Sequence, residues 1–506
     1  MEWAPNPYLF HPIPAAERRM HSHTLTKRDI LQAIECPRLA CLSLRDRALG
    51  RERTETDAGT RIQLAHGNMV GAESRGEFPG GFAVDGAGFT DSLRLTEECI
   101  GRGERVLFEA AFALGPVRAR TDILLREGDR SWALWEVKAG AEPKEEYLVD
   151  IAVQIHVLEG LGMSVRAGLM LVDREATRLS PTLFRRLDCD GEARLRLPLV
   201  REVIDGLAAF AGGGETPEGV LGRRCRDCAR RAECWPRLPR RSVLDLYQGH
   251  GGWRVVEDLL ARGVTDIARI PEDVPLTEIQ RRQVEAALTG SPVVVGDPAA
   301  YVARELVFPL HFLDFEAARP PVPEFPGQHP YDLIPFQWSC HVQDEPEAPL
   351  DHHEFLSNRP GDPRRPMTEA LLETIRPEGS ILVYSSFEQE VLRNMAVVFP
   401  ELASPLEALE GRLVDLLPVV RDHVYHPDFD GSFSIKNVLP VLAQGLGYGG
   451  MGVSDGMEAV WAYHLLTTED LGDGERDRIS RDLLEYCRQD SLAMYEVYRA
   501  LASGGP

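Results

Sequence analysis

Val307-Phe-Pro-Leu-His-Phe-Leu-Asp314-Phe-Glu316-Ala317 is an apolar run in which two acids stand two residues apart. On a strand, residues two apart face the same side, so this stretch sets two carboxylates on one face of an otherwise buried element. Tyr331-Asp-Leu-Ile-Pro-Phe336-Gln-Trp-Ser-Cys-His341-Val reads as an adjacent strand. Ser380-Ile-Leu-Val-Tyr384-Ser-Ser-Phe-Glu388 brings another acid to a strand end where a helix begins, and Leu413-Val-Asp415-Leu-Leu repeats the theme. Asp482-Leu-Leu-Glu-Tyr486-Cys-Arg-Gln-Asp490 puts Tyr486 and Asp490 one helical turn apart on one face. A single such acid is surface solvation. Four acids bordered by apolar residues ask for a cation, because unpaired buried charge is costly. Asp415 is either a supporting acid or a replacement for Glu388, and Ser432-Phe-Ser-Ile-Lys436-Asn is either a substrate-touching loop or a capped helix start.

A second acid set lies upstream. Ala119-Arg-Thr-Asp122-Ile-Leu-Leu and Trp132-Ala-Leu-Trp-Glu136-Val-Lys138 read as a hairpin turning at Arg126-Glu-Gly-Asp-Arg, with Glu136 and Lys138 on one face and Asp122 beside them. Two acids suit a divalent cation, and the lysine suits orientation of water or developing charge at phosphorus. A helix is expected from Glu145 to about Gly162, carrying Gln154. Another, from about Asp57 to Val70, carries His66, and Thr26 with Asp29 three residues on reads as a helix cap.

Cys225-Arg-Asp-Cys228-Ala-Arg-Arg-Ala-Glu-Cys234 has the spacing C-x2-C-x5-C, which leaves a four-ligand site one thiolate short. Cys36 is the candidate fourth ligand; spacing alone allows zinc or an iron-sulfur cluster. Cys41, Cys99, Cys189, Cys340 and Cys487 lack ligand spacing and read as packing thiols.

The 506 residues suffice for two or more domains, and 43% apolar content with a mean hydropathy of -0.21 is that of an ordinary soluble chain. No run approaches the ~20 apolar residues that span a bilayer, and the N-terminus does not read as a signal peptide, so a cytoplasmic protein without a membrane role is expected. In that reducing compartment, grouped cysteines hold metal more often than they pair. The balance of 56 basic against 79 acidic residues, net -23, argues against bulk adhesion to nucleic acid but leaves room for a local basic groove. The arginines between Arg223 and Arg241 are such a place, or else a solvated surface.

Asp122, Glu136-x-Lys138, the upstream His66 and the downstream Gln154 resemble the PD-(D/E)XK nuclease core. With Cys36 and C-x2-C-x5-C they resemble its iron-sulfur branch, the RecB/AddB-type nucleases; Leu158 stands where that branch often has tyrosine. The strand Asp314-x-Glu316, then Phe387-Glu388 and Tyr486-x-x-x-Asp490, resemble the three motifs of DnaQ-like DEDD exonucleases of the ribonuclease H fold. Glu388 replaces the usual aspartate, and Tyr384 stands where asparagine is common. The whole chain also resembles an uncharacterised bacterial family fused behind a RecB-like nuclease.

These resemblances imply an α/β protein: an extension over 1–23, a restriction-endonuclease-like domain over 24–239, a helical linker over 240–303 and a ribonuclease H-like domain with a mixed sheet over 304–506. In the linker, Leu260-Ala-Arg-Gly263-Val-Thr-Asp-Ile267 reads as a helix-hairpin-helix turn or as plain helical linker. They imply a [4Fe-4S] cluster on Cys36, Cys225, Cys228 and Cys234. They also imply Mg2+ or Mn2+ held by His66, Asp122 and Glu136 in one centre and by Asp314, Glu316, Glu388 and Asp490 in the other. Lys138, Gln154 and Tyr486 would assist. The expected function is a metal-dependent nuclease, an exonuclease on single-stranded or end-bearing DNA in repair, recombination or defence, with DNA ahead of RNA. The alternatives are an RNA-trimming exonuclease and a binding or scaffold protein with weak centres. No G-x-x-x-x-G-K-[ST] loop is present, so ATP-driven unwinding would need a helicase or repair partner.

Overall fold

The computed structural model describes residues 24–51, 57–249, 252–443 and 446–505, so the extension expected over 1–23 lies outside the described residues. The chain divides into two compact units, Met1–Gly219 with Arg319–Asp332, and Val220–Ala318 with Leu333–Pro506. Among the described residues no helix is long and apolar enough to cross a membrane.

The first unit is an α/β structure around a seven-stranded mixed sheet. Its strands are β1 (Leu25–Thr26), β2 (Phe82–Ala83), β3 (Val106–Leu114), β4 (Val117–Arg126), β5 (Ser131–Lys138), β6 (Ser164–Val172) and β7 (Phe184–Asp188). The order is β2-β3-β4-β5-β6-β7, with β1 beside β4. β4 and β5 form the expected hairpin, pairing Ile123 with Trp135 and Arg126 with Trp132. β5 and β6 are parallel, so a crossover must join them, and the helix Glu145–Gly160 supplies it. That helix is apolar around most of its circumference because it is covered on several sides, by the sheet and by the helices Lys27–Glu35 and Leu197–Ala211. Asp150 and Gln154 are therefore buried polar groups in an apolar core, and each needs partners. The cap expected at Thr26 is present as a full capping box with Asp29, which fixes where the helix Lys27–Glu35 starts and hence where Lys27 projects.

The second unit holds a five-stranded mixed sheet of β9 (Leu310–Ala318), β10 (Ile334–Gln343), β11 (Asp351–Leu356), β12 (Ser380–Val383) and β13 (Leu413–Asp415), in the order β11-β10-β9-β12-β13. β8 (Val293–Val294) and β14 (Val424–Tyr425) form a separate antiparallel pair. β10 runs antiparallel to both of its neighbours, β9 and β11, whereas β12 runs parallel to β9 and β13 parallel to β12. Every residue of β10 is buried, so its mixed sequence is covered on both faces. On one face the 30-residue helix Asp473–Ala502 packs against β9 and β10. The strand expected from Tyr331 begins at Ile334; Tyr331, at φ 66°, belongs instead to the segment that packs with the first unit, where its hydroxyl donates to the Ala139 carbonyl.

The stretch 240–303 packs within the second unit. Leu260–Ile267 does not form a helix-hairpin-helix. The helix Trp253–Ala261 ends before Gly263, whose φ is 75°, and the chain then makes only a three-residue turn, Ile267–Arg269. The reason is local: Asp266 caps that turn, and Ile270-Pro271 disfavours helical continuation.

Gly379 enters β12 at φ 86°, and a Cβ there would lie 1.9 Å from the Pro309 carbonyl oxygen. Backbone strain and backbone clash coincide, and neither is relieved by moving a side chain. Gly379→Ala is expected to destabilise the second unit by roughly 2–4 kcal/mol, read as a lowered midpoint in urea unfolding.

Candidate metal centres

Asp314 and Glu316 lie on β9, and Asp490 comes from the helix packed across it. One ligand oxygen from each falls within 4.8 Å of the others, and among the described residues this is the only such gathering of three or more His, Cys, Asp or Glu groups. The alternation read from Asp314-x-Glu316 is what places the first two together. Their carboxyls lie at the wall of a cavity of about 590 Å3 that is also lined by Glu388, Tyr384, Tyr486, Lys436, Arg421, Phe433 and Tyr247.

The electrostatics mark a site with less positive charge than its acids need, Lys436 only partly offsetting burial at Glu316 and Asp490. Burial and then the neighbouring Asp490 and Glu316 push the Asp314 carboxyl well above its ordinary range; burial and Asp490 do the same to Glu316. Burial raises Glu388 to about 8 and Asp490 to about 6. Four buried acids that resist ionisation beside one another are matched by a divalent cation, which turns their repulsion into attraction. Asp314, Glu316 and Asp490 therefore fit an oxygen-ligated ion such as Mg2+ or Mn2+. Glu388 lines the same cavity outside that close trio, at the start of the helix Phe387–Val398, and accepts from the Ser385 hydroxyl at 3.2 Å. Asp415 accepts from the Leu417 amide at 2.8 Å and caps the helix Leu416–His423, so the cavity acid is Glu388.

Three neighbours shape the trio. The Tyr448 hydroxyl donates to Asp490 at 2.5 Å, and the Cys487 thiol lies 3.3 Å from an Asp314 carboxylate oxygen. The Lys436 ammonium donates to the Ser454 carbonyl at 2.7 Å and sits over the rings of Tyr448 and Tyr486, 5.3 and 5.2 Å from their centroids. Ser434 stands at the N-cap position of the helix Ile435–Leu442 without a side-chain cap, its hydroxyl donating instead to the Asn437 side chain at 2.8 Å, and it lines the cavity. Tyr448 escaped the sequence reading because it stands alone in a glycine-rich loop, without periodicity. The Tyr384 hydroxyl is buried without a hydrogen-bond partner and faces the same set of residues.

The first-unit centre is built differently. Glu136 and Lys138 share a face of β5, and the Lys138 ammonium reaches Glu136 at 2.7 Å and Asp150 at 2.6 Å. Lys27, from the N-terminal helix, reaches Asp150 at 2.8 Å and Glu136 at 3.2 Å. The Gln154 amide donates to Glu136 at 2.6 Å and to Asp150 at 3.1 Å. Asp122 accepts from the Val137 amide at 2.7 Å, so its carboxylate does stand beside the Glu136 strand as the hairpin implied. His66 does not join it. It is half-buried on the helix Ala58–Gly76, and His66, Asp122 and Glu136 do not bring three ligand atoms within 4.8 Å.

Burial, then Asp122 and Asp150, push Glu136 up to about 8. Burial acts on Asp150 in the same sense, but Lys27 and Lys138 outweigh it and hold that carboxyl well below its ordinary range. The two ammoniums thus supply the positive charge that a metal would bring, and as arranged the residues do not fit a divalent ion. Asp150 and Lys27 were absent from the sequence reading. An acid in the apolar run Leu148-Val-Asp150-Ile-Ala, one turn before Gln154, was a usable signal; nothing local marked Lys27, which acts across 109 positions of chain.

All nine cysteines are free. Cys41, Cys99, Cys189, Cys340 and Cys487 are buried, as expected of packing thiols, whereas Cys36, Cys225, Cys228 and Cys234 are only half-buried. Cys36 precedes the helix Pro37–Ala48 in the first unit; Cys225 closes a short turn and Cys234 ends the helix Arg231–Cys234 in the second. Arg231 is held by paired hydrogen bonds to Asp245 at 2.8 and 2.7 Å.

Two α/β units, one with a carboxylate trio open to a cavity, define the class of protein. A family model described as Domain of unknown function (DUF2779) matches residues 311–434, which include Asp314, Glu316 and Glu388 but stop before Tyr486 and Asp490. No curated protein and no solved structure matches the chain.

Proposed function

We propose that the protein is a metal-dependent phosphodiesterase acting on nucleic acid, with its working centre at Asp314, Glu316, Glu388 and Asp490. The observation that carries this reading is the convergence of three carboxylates, Glu316 and Asp490 buried and Asp314 half-buried, from one strand and one helix on one cavity. The sheet, three antiparallel strands followed by two parallel ones, is compatible with a ribonuclease H-like fold, and the seven-stranded sheet with a PD-(D/E)XK-like one.

Bound there, divalent ions would supply a hydroxide nucleophile and charge for the leaving oxygen. The chain's own part is to hold and orient. Asp314, Glu316 and Asp490 hold the ions, and Tyr448 fixes the Asp490 rotamer. Tyr486, one turn from Asp490, is kept protonated by burial and by that carboxylate, to which it donates, and its hydroxyl oxygen would orient the attacking water. Lys436 and Arg421 are the cations lining the cavity, suited to phosphate, while Tyr247 and Phe433, in edge contact at 5.4 Å between centroids, offer apolar faces to a base. DNA, single-stranded or end-bearing, is the preferred substrate and RNA the second. The lysine-paired first centre favours a reading in which this second-unit centre does the cutting.

The test is cleavage of matched end-labelled single-stranded and duplex DNA and RNA, with Mg2+ or Mn2+ and with chelator. Stepwise shortening that chelator abolishes is expected; no metal-dependent cleavage of any of these substrates overturns the proposal.

For the cysteines we propose a structural [4Fe-4S] cluster, with zinc as the alternative. The support is the C-x2-C-x5-C spacing of Cys225, Cys228 and Cys234, together with the half-buried state that these three and Cys36 share while the other five cysteines are buried. Anaerobically purified protein is expected to be brown, with about four irons per chain. Colourless protein with one tightly bound zinc would decide for the alternative.

A further inference from the structure

The first-unit centre gathers three acids, Asp122, Glu136 and Asp150, around two ammoniums. Lys138 was expected there from its place on β5. Lys27 was not. It enters from another element, the helix whose start is set by the Thr26–Asp29 capping box, and Asp29 is itself clamped by the Arg47 guanidinium, with one of its bonds at 3.0 Å. The position of Lys27 is therefore built rather than incidental. Its ammonium lies between one oxygen of Glu136 and one of Asp150, where a cation bridging those acids would sit. A second feature points to the same place. Gln154 is fully buried and donates to both acids, yet its carbonyl oxygen has no partner. A buried amide oxygen without a donor is costly, and a cation or its bound water among these groups would satisfy it.

We propose that Lys27 is a built-in counter-ion that competes with divalent cations for the Glu136–Asp150 pair. The first centre then stays folded and charge-balanced without metal, and loads only when an ion displaces the Lys27 ammonium. Carboxylates already satisfied by two ammoniums gain less from a metal than the unpaired trio of the second unit, because the ion must replace an existing charge pair rather than relieve repulsion. The two centres consequently differ in metal affinity although both offer carboxylates. This goes beyond the proposed activity and does not depend on it.

The test uses the full chain carrying Asp314→Asn and Asp490→Asn, so that the second-unit centre does not contribute. Mn2+ binding, followed by the loss of the free-ion electron paramagnetic resonance signal, is compared with and without Lys27→Met. The substitution is expected to tighten binding on the order of tenfold or more, because it removes the competing charge and leaves the acids in place. Unchanged or weaker binding overturns the proposal.

A second measurement needs no substitution at Lys27. Acylation of Lys27 in the otherwise unaltered chain, read by peptide mass spectrometry, is expected to rise with millimolar Mn2+ as the ammonium is displaced. Constant or falling acylation of Lys27 over that range overturns it even where Lys27→Met fails to fold. Failure here leaves cleavage at the second-unit centre untouched, and absence of cleavage leaves this competition measurable.

Discussion

Asp314→Asn combined with Asp490→Asn is expected to remove metal-dependent cleavage, by at least about a thousandfold or ~4 kcal/mol of transition-state stabilisation, while leaving the protein folded. The two substitutions keep side-chain volume and take away two of three converging charges. Amides are poor substitutes as ligands for hard divalent ions where several anionic oxygens are needed. The same change is expected to raise, not lower, thermal stability in chelator at pH 8. Asp314, Glu316 and Asp490 converge where Glu316 and Asp490 are buried, and mutual repulsion is part of what pushes the Asp314 and Glu316 carboxyls up. Loss of activity together with a gain in metal-free stability separates a functional role from simple misfolding. Activity retained in the double variant, measured on the end-labelled strand, would assign cleavage to the lysine-paired centre instead.

The second large effect concerns pH and metal together. Glu388 is raised to about 8 and Asp490 to about 6, in each case first by burial. An acid whose pKa is higher folded than unfolded contributes stability below its unfolded value, near pH 4, and loses that contribution as pH rises through the folded value. Metal-free protein is therefore expected to lose thermal stability from about pH 4 up to about pH 8, with Asp490 contributing to the loss up to about pH 6 and Glu388 up to about pH 8. Mg2+ or Mn2+ should reverse this, since a bound cation favours the ionised forms, so the rise in melting temperature on adding metal grows across the same window. Glu136 is also raised to about 8 and moves stability in the same direction, which is why the comparison needs the Asp314→Asn, Asp490→Asn chain. If that chain shows the same metal-dependent rise as the unaltered one, the trio is not where the ion binds.

Several parts of both centres were open to reading residue by residue, and each was local. Asp314-x-Glu316 share a strand face, and Tyr486 and Asp490 stand one turn apart, because strand and helix periodicities are properties of a few consecutive residues. The β4–β5 hairpin, the Thr26 capping box and the burial of five cysteines arise from equally short-range rules. The same rules misplaced the start of β10, where the path of the chain depends on what it packs against, and left two readings open at Leu260–Ile267, of which the helix-hairpin-helix did not form.

Charge balance was not open to such reading. Asp122 and Glu136, taken from β4 and β5 alone, ask for a metal, but Lys27, 109 positions from Glu136, and Lys138, reaching across to Asp150 on a crossover helix, had already answered them with ammonium. Conversely, Asp314, Glu316 and Asp490 meet across 176 positions (490 − 314), and only their meeting turns ordinary acids into a site that wants a cation. The amino-acid sequence by itself determined which face each carboxylate would take. The tertiary structure alone decided which charges would meet it there, because electrostatic energy depends on distance through the folded interior and not on separation along the chain.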